Sequence, residues 1–440
     1  MKTLDAILSS AARHPDRPAC RFPDGEISYG ELLRRAEEEA EGLRSGAGPV
    51  PFGGERSIPA VVTILACLLS RRPYVPLTPR LPDARRDAIF RILAESALPA
   101  DTAYILFTSG STGEPKGVPI SRDNLDAFTA ILPRWFADLD GDGPLTVFGA
   151  APFSFDLSAA DLFFALCGGH TLVSPDRADP ADAIRLLKSA DAAIMTPTHL
   201  RLCLMDPDFS PAGCPRLGCV YLCGETLDPA AAAKFLDRFP SPAMILLNAY
   251  GPTEATSAVS AVRITREMTR SGDPLPVGEI GNTTADIRIE DGEIVLTGPS
   301  VFGGYLGQIP AENGVPHTHR TGDLGSIDGG LLTCRGRADG QFKYKGYRIE
   351  TGDVEAHLRA LPGVRDGVLI PRRTPDGRGI LSLTVYVVPE DGWDPDPAAI
   401  RSGLAARLPD YMVPKSVRFL DRFPVTANGK TDRKAMESYV

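Results

Sequence analysis

The sequence predicts an α/β fold with a large N-terminal domain of layered, mostly parallel sheets and a small α+β C-terminal domain. Short apolar segments alternate with helical segments from the N-terminus to about residue 330. A Gly-rich region with short alternating segments, at about 278–305, predicts a small β subdomain within the large domain. Because 440 residues are too many for one ordinary core, we expect separate domains at 1–336 and 337–440.

Local patterns place the elements of the large domain. Ser28 and Glu31 form a candidate capping box for a helix that ends near Leu43. Continuous apolar runs predict buried strands, and apolar residues spaced three or four apart predict helices. The predicted strands are 104–107, 145–148, 192–195, 219–222 and 244–247, and the predicted helices between them include 181–187 and 229–235.

The C-terminal domain is predicted to follow a Gly-rich boundary at 335–340. Its pattern is strand, helix, strand, strand, helix, strand, which is typical of a small α+β domain. The predicted bounds are 341–347, 354–361, 364–370, 381–388, 398–408 and 417–420.

Composition argues against several classes of function. The net charge of −9 disfavours nucleic acid as a main partner. The longest apolar run, 58–69, is too short to cross a bilayer, and the N-terminus lacks signal-peptide features. The eight cysteines lack zinc-type paired spacing, and the six histidines form no nucleophile-elbow or HExxH pattern. We therefore expect a cytoplasmic protein with free thiols and no membrane insertion.

The segment 104–118, YILFTSGSTGEPKGV, carries the strongest functional signal. A predicted buried strand runs into a loop whose backbone N–H groups and hydroxyls can surround a polyphosphate. Lys116 supplies a cation for the charge that develops when a phosphate group leaves. The loop differs from the P-loop of kinases and GTPases because Gly117, not Ser or Thr, follows the lysine. The residues assigned to phosphate binding are Thr108, Ser109, Gly110, Ser111, Thr112, Gly113 and Lys116.

Two further segments have the chemistry of a nucleotide site. In 248–254, NAYGPTE, the ring of Tyr250 can stack on adenine, Thr253 can bond a phosphate oxygen and Glu254 can hold Mg²⁺. In 319–325, HRTGDLG, Asp323 follows a predicted tight turn, where its carboxylate can accept hydrogen bonds from both ribose hydroxyls.

Taken in order, these motifs resemble those of the ANL superfamily of acyl-adenylate-forming enzymes. Two more motifs, 336–350 (GRADGQFKYKGYRIE) and 428–434 (NGKTDRK), extend the resemblance over nearly the whole chain. The family uses ATP and Mg²⁺ to convert a carboxylate to an acyl-AMP with release of pyrophosphate. Its small domain then rotates, and the acyl group passes to a thiol. The resemblance therefore implies a mobile C-terminal domain and catalysis by positioning and charge neutralisation.

The same resemblance assigns roles to individual residues. Asp339 matches the hinge residue, Arg337 the residue that contacts the ribose, and Arg348 the residue that approaches the nucleotide in the second reaction. Lys430 matches the catalytic lysine, which bonds the substrate carboxylate and the α-phosphate and so offsets the repulsion between them. Further nucleotide contacts are implied for Gly224, Glu225, Asn248, Ala249 and Gly251.

Asp156, in the segment 151–158 (APFSFDLS), indicates an amino acid substrate. It matches the aspartate that holds the α-ammonium group in members of the family that activate amino acids, and a buried carboxylate needs such a cationic partner. The alternative is that Asp156 caps the helix beginning near Leu157. Cys223 matches a pocket cysteine of the members that activate D-alanine. The other pocket positions assigned by this match are Phe155, Ala160, Ile194, Tyr221, Ala249, Ser257 and Ala258.

Two pocket positions depart from the D-alanine-activating pattern. Ala160 stands in place of methionine and Ala249 in place of threonine, so both positions lose volume, which Tyr221 could partly fill. Because Asp156 is the one charged group in the lining, we expect a small or medium neutral side chain. D-alanine and a natural-product building block both fit, and the configuration and pathway stay open. The chain is also short for the family after Pro79.

The sequence thus predicts a monomeric amino acid adenylation protein of the stand-alone, nonribosomal peptide synthetase type. Its expected partners are an amino acid and a separate phosphopantetheinylated carrier protein. One alternative is an acyl-CoA synthetase for a non-amino carboxylic acid, which Asp156 disfavours. The other is a non-catalytic subunit that binds a carrier protein, which the intact Lys116, Glu254, Asp323 and Lys430 disfavour.

Overall fold

The computed structural model describes residues 1–110, 113–139, 143–176, 179, 181–271, 273–308, 317–337, 341–374, 379–393, 396–424 and 431–439. The chain forms two compact units. The first consists of Met1–Pro79, Ser96–Leu106 and Val118–Ala338, and the second of Arg80–Glu95, Phe107–Gly117 and Asp339–Val440. The second unit therefore contains the phosphate loop in addition to the C-terminal residues.

The elements of the described residues are numbered in chain order. The helices are α1 (Lys2–Arg13), α2 (Tyr29–Arg44), α3 (Ile58–Ser70), α4 (Asp83–Glu95), α5 (Arg122–Trp135), α6 (Ser158–Gly168), α7 (Asp182–Leu187), α8 (Pro197–Cys203), α9 (Pro229–Arg238), α10 (Thr351–Arg359), α11 (Pro397–Ala405) and α12 (Arg433–Glu437). The strands are β1 (Pro18–Phe22), β2 (Gly25–Ser28), β3 (Val50–Gly53), β4 (Tyr74–Leu77), β5 (Thr102–Thr108), β6 (Lys116–Ser121), β7 (Thr146–Gly149), β8 (Thr171–Val173), β9 (Ala192–Met195), β10 (Cys219–Leu222), β11 (Ile245–Tyr250), β12 (Ser260–Arg263), β13 (Gly278–Glu279), β14 (Asp286–Glu290), β15 (Glu293–Thr297), β16 (Thr318–Asp328), β17 (Leu331–Arg337), β18 (Gln341–Tyr344), β19 (Tyr347–Glu350), β20 (Val364–Arg373), β21 (Ile380–Pro389) and β22 (Ser416–Phe419).

The main sheet of the first unit has eight strands in the order β12-β11-β10-β9-β7-β8-β1-β2. Its central pairs are parallel, and the outer pairs β11–β12 and β1–β2 are antiparallel. Successive residues of β10 belong to two hydrophobic cores: Cys219 and Tyr221 to one, Val220 and Leu222 to the other. Both faces of the sheet are therefore buried, which explains why its strands are continuous apolar runs.

Two smaller sheets are separate from the main sheet. One has the order β3-β4-β5-β6, and the predicted phosphate loop connects β5 to β6. The other, β13-β17-β16-β15-β14, corresponds to the predicted β subdomain, but its last strands, β16 and β17, lie beyond the predicted end at about residue 305. The predicted capping box of α2 is confirmed in its first half, because the Ser28 side chain accepts a hydrogen bond from the Glu31 backbone N–H. The reciprocal half is wrong, because the Glu31 carboxylate accepts from Arg34 and Arg35 instead.

The C-terminal part of the second unit has the three-stranded sheet β20-β21-β22, and α10 and α11 contribute to the same core. The prediction of one strand over 341–347 is wrong. Lys345 and Gly346 adopt positive φ angles of 53° and 85°, so the chain turns there and forms the antiparallel hairpin β18–β19. Among the described residues, no helix has both the length and the apolar character needed to cross a membrane.

Candidate active site

Three residues predicted to bind the nucleotide meet in the first unit. The Tyr250 hydroxyl, at the end of β11, donates to Asp323 Oδ2 over 2.6 Å, and Arg337 Nη1 donates to Asp323 Oδ1 over 2.8 Å. Burial, followed by the Asp323 carboxylate, raises the pKa of Tyr250 well above its ordinary value. Asp323 lies within β16 rather than in a turn between elements, although the preceding Gly322 has a φ of 74°. The carboxylate is thus fixed on a strand.

Asp156 is linked to the nucleotide motif by one hydrogen bond. Thr253 Oγ1 donates to Asp156 Oδ2 over 2.6 Å, and Asp156 is only 8% exposed. The alternative role of Asp156 as a helix cap is wrong, because α6 begins at Ser158 and its N-cap residue, Leu157, makes no side-chain cap. The residue predicted to bind an ammonium group therefore lies beside a residue predicted to bind phosphate.

Glu254 follows Thr253 in a short 3-10 turn and is completely buried. The Tyr305 hydroxyl donates to Glu254 Oε1 over 2.6 Å, and the Phe302 backbone N–H donates to the Glu254 carbonyl over 2.8 Å. In the described part of the chain, no group of three or more His, Cys, Asp or Glu side chains is arranged to hold a metal ion.

A buried ion pair that the sequence did not reveal supports the loop carrying Asp156. Arg56 Nη2 donates to Asp161 Oδ2 over 2.6 Å, and Arg56 Nε donates to the Ala151 carbonyl over 2.5 Å. The guanidinium also lies 4.5 Å from the centre of the Phe153 ring. Because Arg56 bonds to both ends of the segment 151–161, it restrains the backbone that positions Asp156.

The residues predicted to form the substrate pocket pack largely in one core of the first unit. Ala160, Ile194, Tyr221, Cys223, Ala249 and Ala258 are all buried there, and Phe155 packs against that core. In the parallel register, Tyr221 lies beside Ile194 on β9. The Phe155 ring is so close to Gly224 that a Cβ on this glycine would lie 3.2 Å from it. Glycine at 224, with a φ of 93°, therefore makes room for Phe155.

The phosphate loop of the second unit is bonded to the hairpin β18–β19. Lys116 Nζ lies 3.0 Å from Glu350 Oε1. The Ser109 hydroxyl donates to the Arg348 carbonyl over 3.0 Å and accepts from the Glu350 backbone N–H over 3.1 Å. Lys116, Ser109 and Arg348 are predicted site residues, whereas Glu350 is not. Ser111, Thr112, the predicted hinge Asp339 and the predicted catalytic Lys430 lie outside the described residues.

A second buried ion pair holds the loop at Gly113. Arg85 on α4 bonds both carboxylate oxygens of Asp353, over 2.8 and 3.2 Å, and donates to the Gly113 carbonyl over 2.9 Å. His357 Nδ1 lies 2.9 Å from the Asp353 carbonyl, and hydrogen bonding to Asp353 raises the pKa of His357. Arg85, Gly113 and His357 also line an open cleft of about 610 Å³. The loop conformation thus depends on residues far away in the sequence.

Comparison with known families identifies the class of protein. The family model described as AMP-binding enzyme matches residues 8–98 and 91–306, and the model described as AMP-binding enzyme C-terminal domain matches residues 353–430. The chain therefore belongs to the AMP-binding enzyme family. The predicted family, fold class and enzyme class, an AMP-forming ligase, are confirmed. The two stretches of the first match overlap at residues 91–98.

The chain is similar in particular to D-alanine–D-alanyl carrier protein ligases. The ligase of Bacillus velezensis is 35% identical over 506 aligned positions, which cover 99% of this chain and 98% of the relative. The ligase of Bacillus licheniformis is 33% identical, with complete coverage of both chains. Because the chain has 440 residues, the alignments contain gaps that confirm its shortening.

Solved structures agree on the fold. PA1221, a nonribosomal peptide synthetase protein with adenylation and PCP domains, has a TM-score of 0.81 and 25% identity, covering 99% of this chain and 83% of its own. The Vibrio cholerae adenylation domain AlmE, solved with glycyl-adenosine-5′-phosphate, has a TM-score of 0.83 and 22% identity. The match covers 99% of this chain and 97% of AlmE. At 22% identity, the similarity to AlmE shows that the fold is shared.

Proposed function

We propose that this chain activates a small or medium neutral amino acid with ATP and transfers it to the phosphopantetheine thiol of a carrier protein. In the first step, a substrate carboxylate oxygen attacks the α-phosphorus of ATP, and pyrophosphate leaves. In the second step, the thiol sulfur attacks the acyl carbon of the aminoacyl-AMP, AMP leaves, and the thiol proton is released. D-alanine is one substrate of this class, since the relatives reported above are named for it.

The hydrogen bond between Asp156 and Thr253 carries the proposal. It joins the residue assigned to the α-ammonium group to the motif assigned to the nucleotide, over 2.6 Å. Because the two substrates react with each other, the groups that bind them must lie close together. An ammonium group at Asp156 would also provide the buried carboxylate with an opposite charge.

We assign the adenosine to the group formed by Tyr250, Asp323 and Arg337. Asp323 would accept hydrogen bonds from the ribose hydroxyls, and its bonds to Tyr250 and Arg337 hold the carboxylate in place before the nucleotide binds. The flat ring of Tyr250 offers a stacking surface for adenine. Fixing the nucleotide in this way aligns its α-phosphorus for attack.

We assign the phosphates to the loop at 108–116, with Lys116 as its cation. Lys116 would stabilise the negative charge that develops on the leaving pyrophosphate. Its bond to Glu350 means that the nucleotide phosphates compete with this carboxylate for the ammonium group. A bound Mg²⁺ would be held by Glu254 together with the phosphates and would neutralise phosphate charge.

We assign the remaining steps to residues of the C-terminal part. Lys430 would bond the substrate carboxylate and the α-phosphate, and Asp339 would be the hinge about which this part rotates. Arg348, whose Nε donates to Gln341 Oε1 over 3.0 Å, would approach the nucleotide during thioester formation. The rotating part can serve both reactions in a monomer.

The test is amino-acid-dependent exchange of pyrophosphate into ATP, with the D- and L-isomers of small neutral amino acids. The wild-type chain should exchange strongly with at least one of them. Asp156→Asn should lower exchange by about 30-fold or more, since loss of one partner of a buried charge pair costs about 2–5 kcal/mol. Lys430→Ala, which removes the assigned catalytic lysine, should abolish exchange.

Asp286→Asn serves as the matched control, because Asp286 is an exposed residue of β14 that pairs with Arg288. It should exchange like the wild type. Full exchange by Asp156→Asn, or exchange supported by carboxylic acids but by no amino acid, would contradict the proposal.

A further inference from the structure

Two hydroxyl groups at the predicted pocket positions are buried without a hydrogen-bond partner. Tyr221 Oη and Ser257 Oγ find no donor or acceptor among the residues that the structure describes. Tyr221 is 0% exposed and Ser257 is 2% exposed. Nearly all buried polar groups in folded proteins are hydrogen-bonded, so two exceptions in one predicted pocket call for a physical explanation.

Tyr221 is held rigidly at this position. Its ring stacks with Trp135 and Phe136, at centroid distances of 6.2 and 5.7 Å. Phe136 stacks in turn on Phe164 of α6, over 4.1 Å. The ring therefore cannot easily turn to bring its hydroxyl to a partner elsewhere.

The surroundings of Tyr221 keep its hydroxyl protonated. Burial, and then the nearby Cys223 and Asp156, raise the pKa of Tyr221 well above its ordinary value. The phenol therefore stays protonated and can donate as well as accept a hydrogen bond. Tyr221 and Asp156, the residue assigned to the α-ammonium group, are both predicted pocket positions.

Ser257 lies in a strained loop directly after the nucleotide motif. Thr256 and Ser257 have φ angles of 59° and 73°, which are uncommon for residues other than glycine. The loop packs so tightly that a Cβ on Gly251 would lie 2.8 Å from the Ser257 carbonyl oxygen. Such strain is found at ligand-binding sites, where the surrounding structure maintains it.

We propose that the amino acid activated by this chain has a neutral side chain with a hydroxyl or carboxamide group, which bonds to the Tyr221 hydroxyl, with Ser257 as a second contact. The inference rests on the proposed function, because it concerns the substrate of the same site. A carboxylate side chain would be repelled by Asp156, and an ammonium side chain would compete with the α-ammonium group for it. A purely apolar side chain, including the methyl group of D-alanine, would leave both hydroxyls unsatisfied, so within the proposed class the inference disfavours D-alanine.

The test compares polar amino acids with apolar partners of similar shape in the exchange assay. The pairs are serine with 2-aminobutyrate, threonine with valine and asparagine with leucine, each in both configurations. A site built around a hydrogen bond strongly rejects the analogue that lacks it, so the favoured polar amino acid should exceed its apolar partner at least about 10-fold in kcat/KM. Tyr221→Phe should remove most of this preference. Its kcat/KM for the apolar partner should stay within about 3-fold of the wild-type value.

Two further variants sharpen the test. Ser257→Ala should reduce the preference less than Tyr221→Phe does. Tyr386→Phe, at a fully buried tyrosine of β21 in the second unit, is the matched control and should leave the preference unchanged. Thermal unfolding without substrate gives a readout independent of activity. Tyr221→Phe should unfold at the same temperature as the wild type or higher, because it removes an unsatisfied hydroxyl.

The outcomes separate this inference from the proposed function. Exchange that favours the apolar partners, or a preference unchanged by Tyr221→Phe, would overturn the inference while amino acid activation stands. A clear loss of stability in Tyr221→Phe would show that the hydroxyl is satisfied in the free protein, and would also overturn it. Absence of exchange with every amino acid would refute the proposed function itself, and the inference with it.

Discussion

Replacing Arg56 by methionine should destabilise the first unit strongly, although Arg56 lies in none of the nucleotide or substrate motifs. The side chains of Arg56 and Asp161 are only 3% and 0% exposed. Removing one partner of such a pair leaves an uncompensated buried charge, which costs about 3–5 kcal/mol. For a unit of this size, we expect thermal unfolding about 5–15 °C below that of the wild type.

The pH dependence of this loss follows from Asp161. Burial raises its pKa to about 6 in the folded protein, despite the neighbouring Arg56, from an ordinary value of 3.8. A raised carboxyl pKa favours the folded state at low pH, and this contribution is lost as the pH rises from about 4 through 6. Without Arg56, the pKa of Asp161 in the folded protein rises further. The variant can therefore neutralise Asp161 by protonation more easily at pH 5 than at pH 7.5. The defect of Arg56→Met should therefore be smaller at pH 5.

The assay is thermal unfolding at both pH values, with Arg34→Met as the matched control. Arg34 pairs with Glu31 and Glu38 on the exposed surface of α2, and such pairs contribute little. Adding Asp161→Asn to Arg56→Met should recover much of the lost stability, since it removes the buried charge. The reasoning fails if Arg56→Met behaves like Arg34→Met at pH 7.5, or if its defect does not depend on pH.

Three other predictions concern the nucleotide and the phosphate loop. Asp323→Asn should raise the KM for ATP about 10-fold, since hydrogen bonds to charged groups contribute about 1.5–3 kcal/mol; an unchanged KM would contradict the assignment to ribose. Glu350→Gln should lower the KM for ATP, because Lys116 loses a competing anion, and this effect should vanish in a Lys116→Ala background; a higher KM would refute the competition. His357 has a raised pKa through its hydrogen bond to Asp353, so its stabilising charge is fully present below pH 6.5 and is lost as the pH rises through the folded value. Thermal unfolding across this range should show the loss in the wild type but not in His357→Gln.

The sequence alone was sufficient to predict elements with strong local patterns. Residues 192–195 and 219–222 form strands with the predicted bounds, because apolar runs buried on both faces produce an unambiguous signal. The motif residues Tyr250 and Asp323 also meet as one group, although 73 positions separate them. The match to a family supplied this expectation, since no local pattern relates two strands so far apart.

The contacts that local patterns could not reveal are long-range. Arg56 pairs with Asp161 across 105 positions, and Lys116 with Glu350 across 234. Arg56 and Glu350, taken alone in the sequence, look like ordinary charged residues. The apolar helix around Asp161 did contain a signal, because an aspartate among buried residues requires a partner. The sequence did not indicate that Arg56 is that partner.

The hairpin at 341–350 shows a different kind of error. Its residues have the alternating pattern of one strand, and the prediction includes Gly346 in that strand. Glycine with a positive φ reverses the chain there, so Arg348 and Glu350 lie on a returning strand. A turn signal inside an alternating pattern deserves more weight than the pattern itself.

The central claim is that the chain forms an aminoacyl thioester at the expense of ATP, and the mass of an intact carrier protein tests it most directly. The full chain, ATP, Mg²⁺ and the best amino acid from the exchange assay are incubated with a phosphopantetheinylated carrier protein, or with the same carrier lacking phosphopantetheine. The account predicts a gain of one aminoacyl group on the modified carrier only, with one AMP formed per group transferred. Formation of ADP, or consumption of ATP without a gain in mass on the modified carrier, would contradict it.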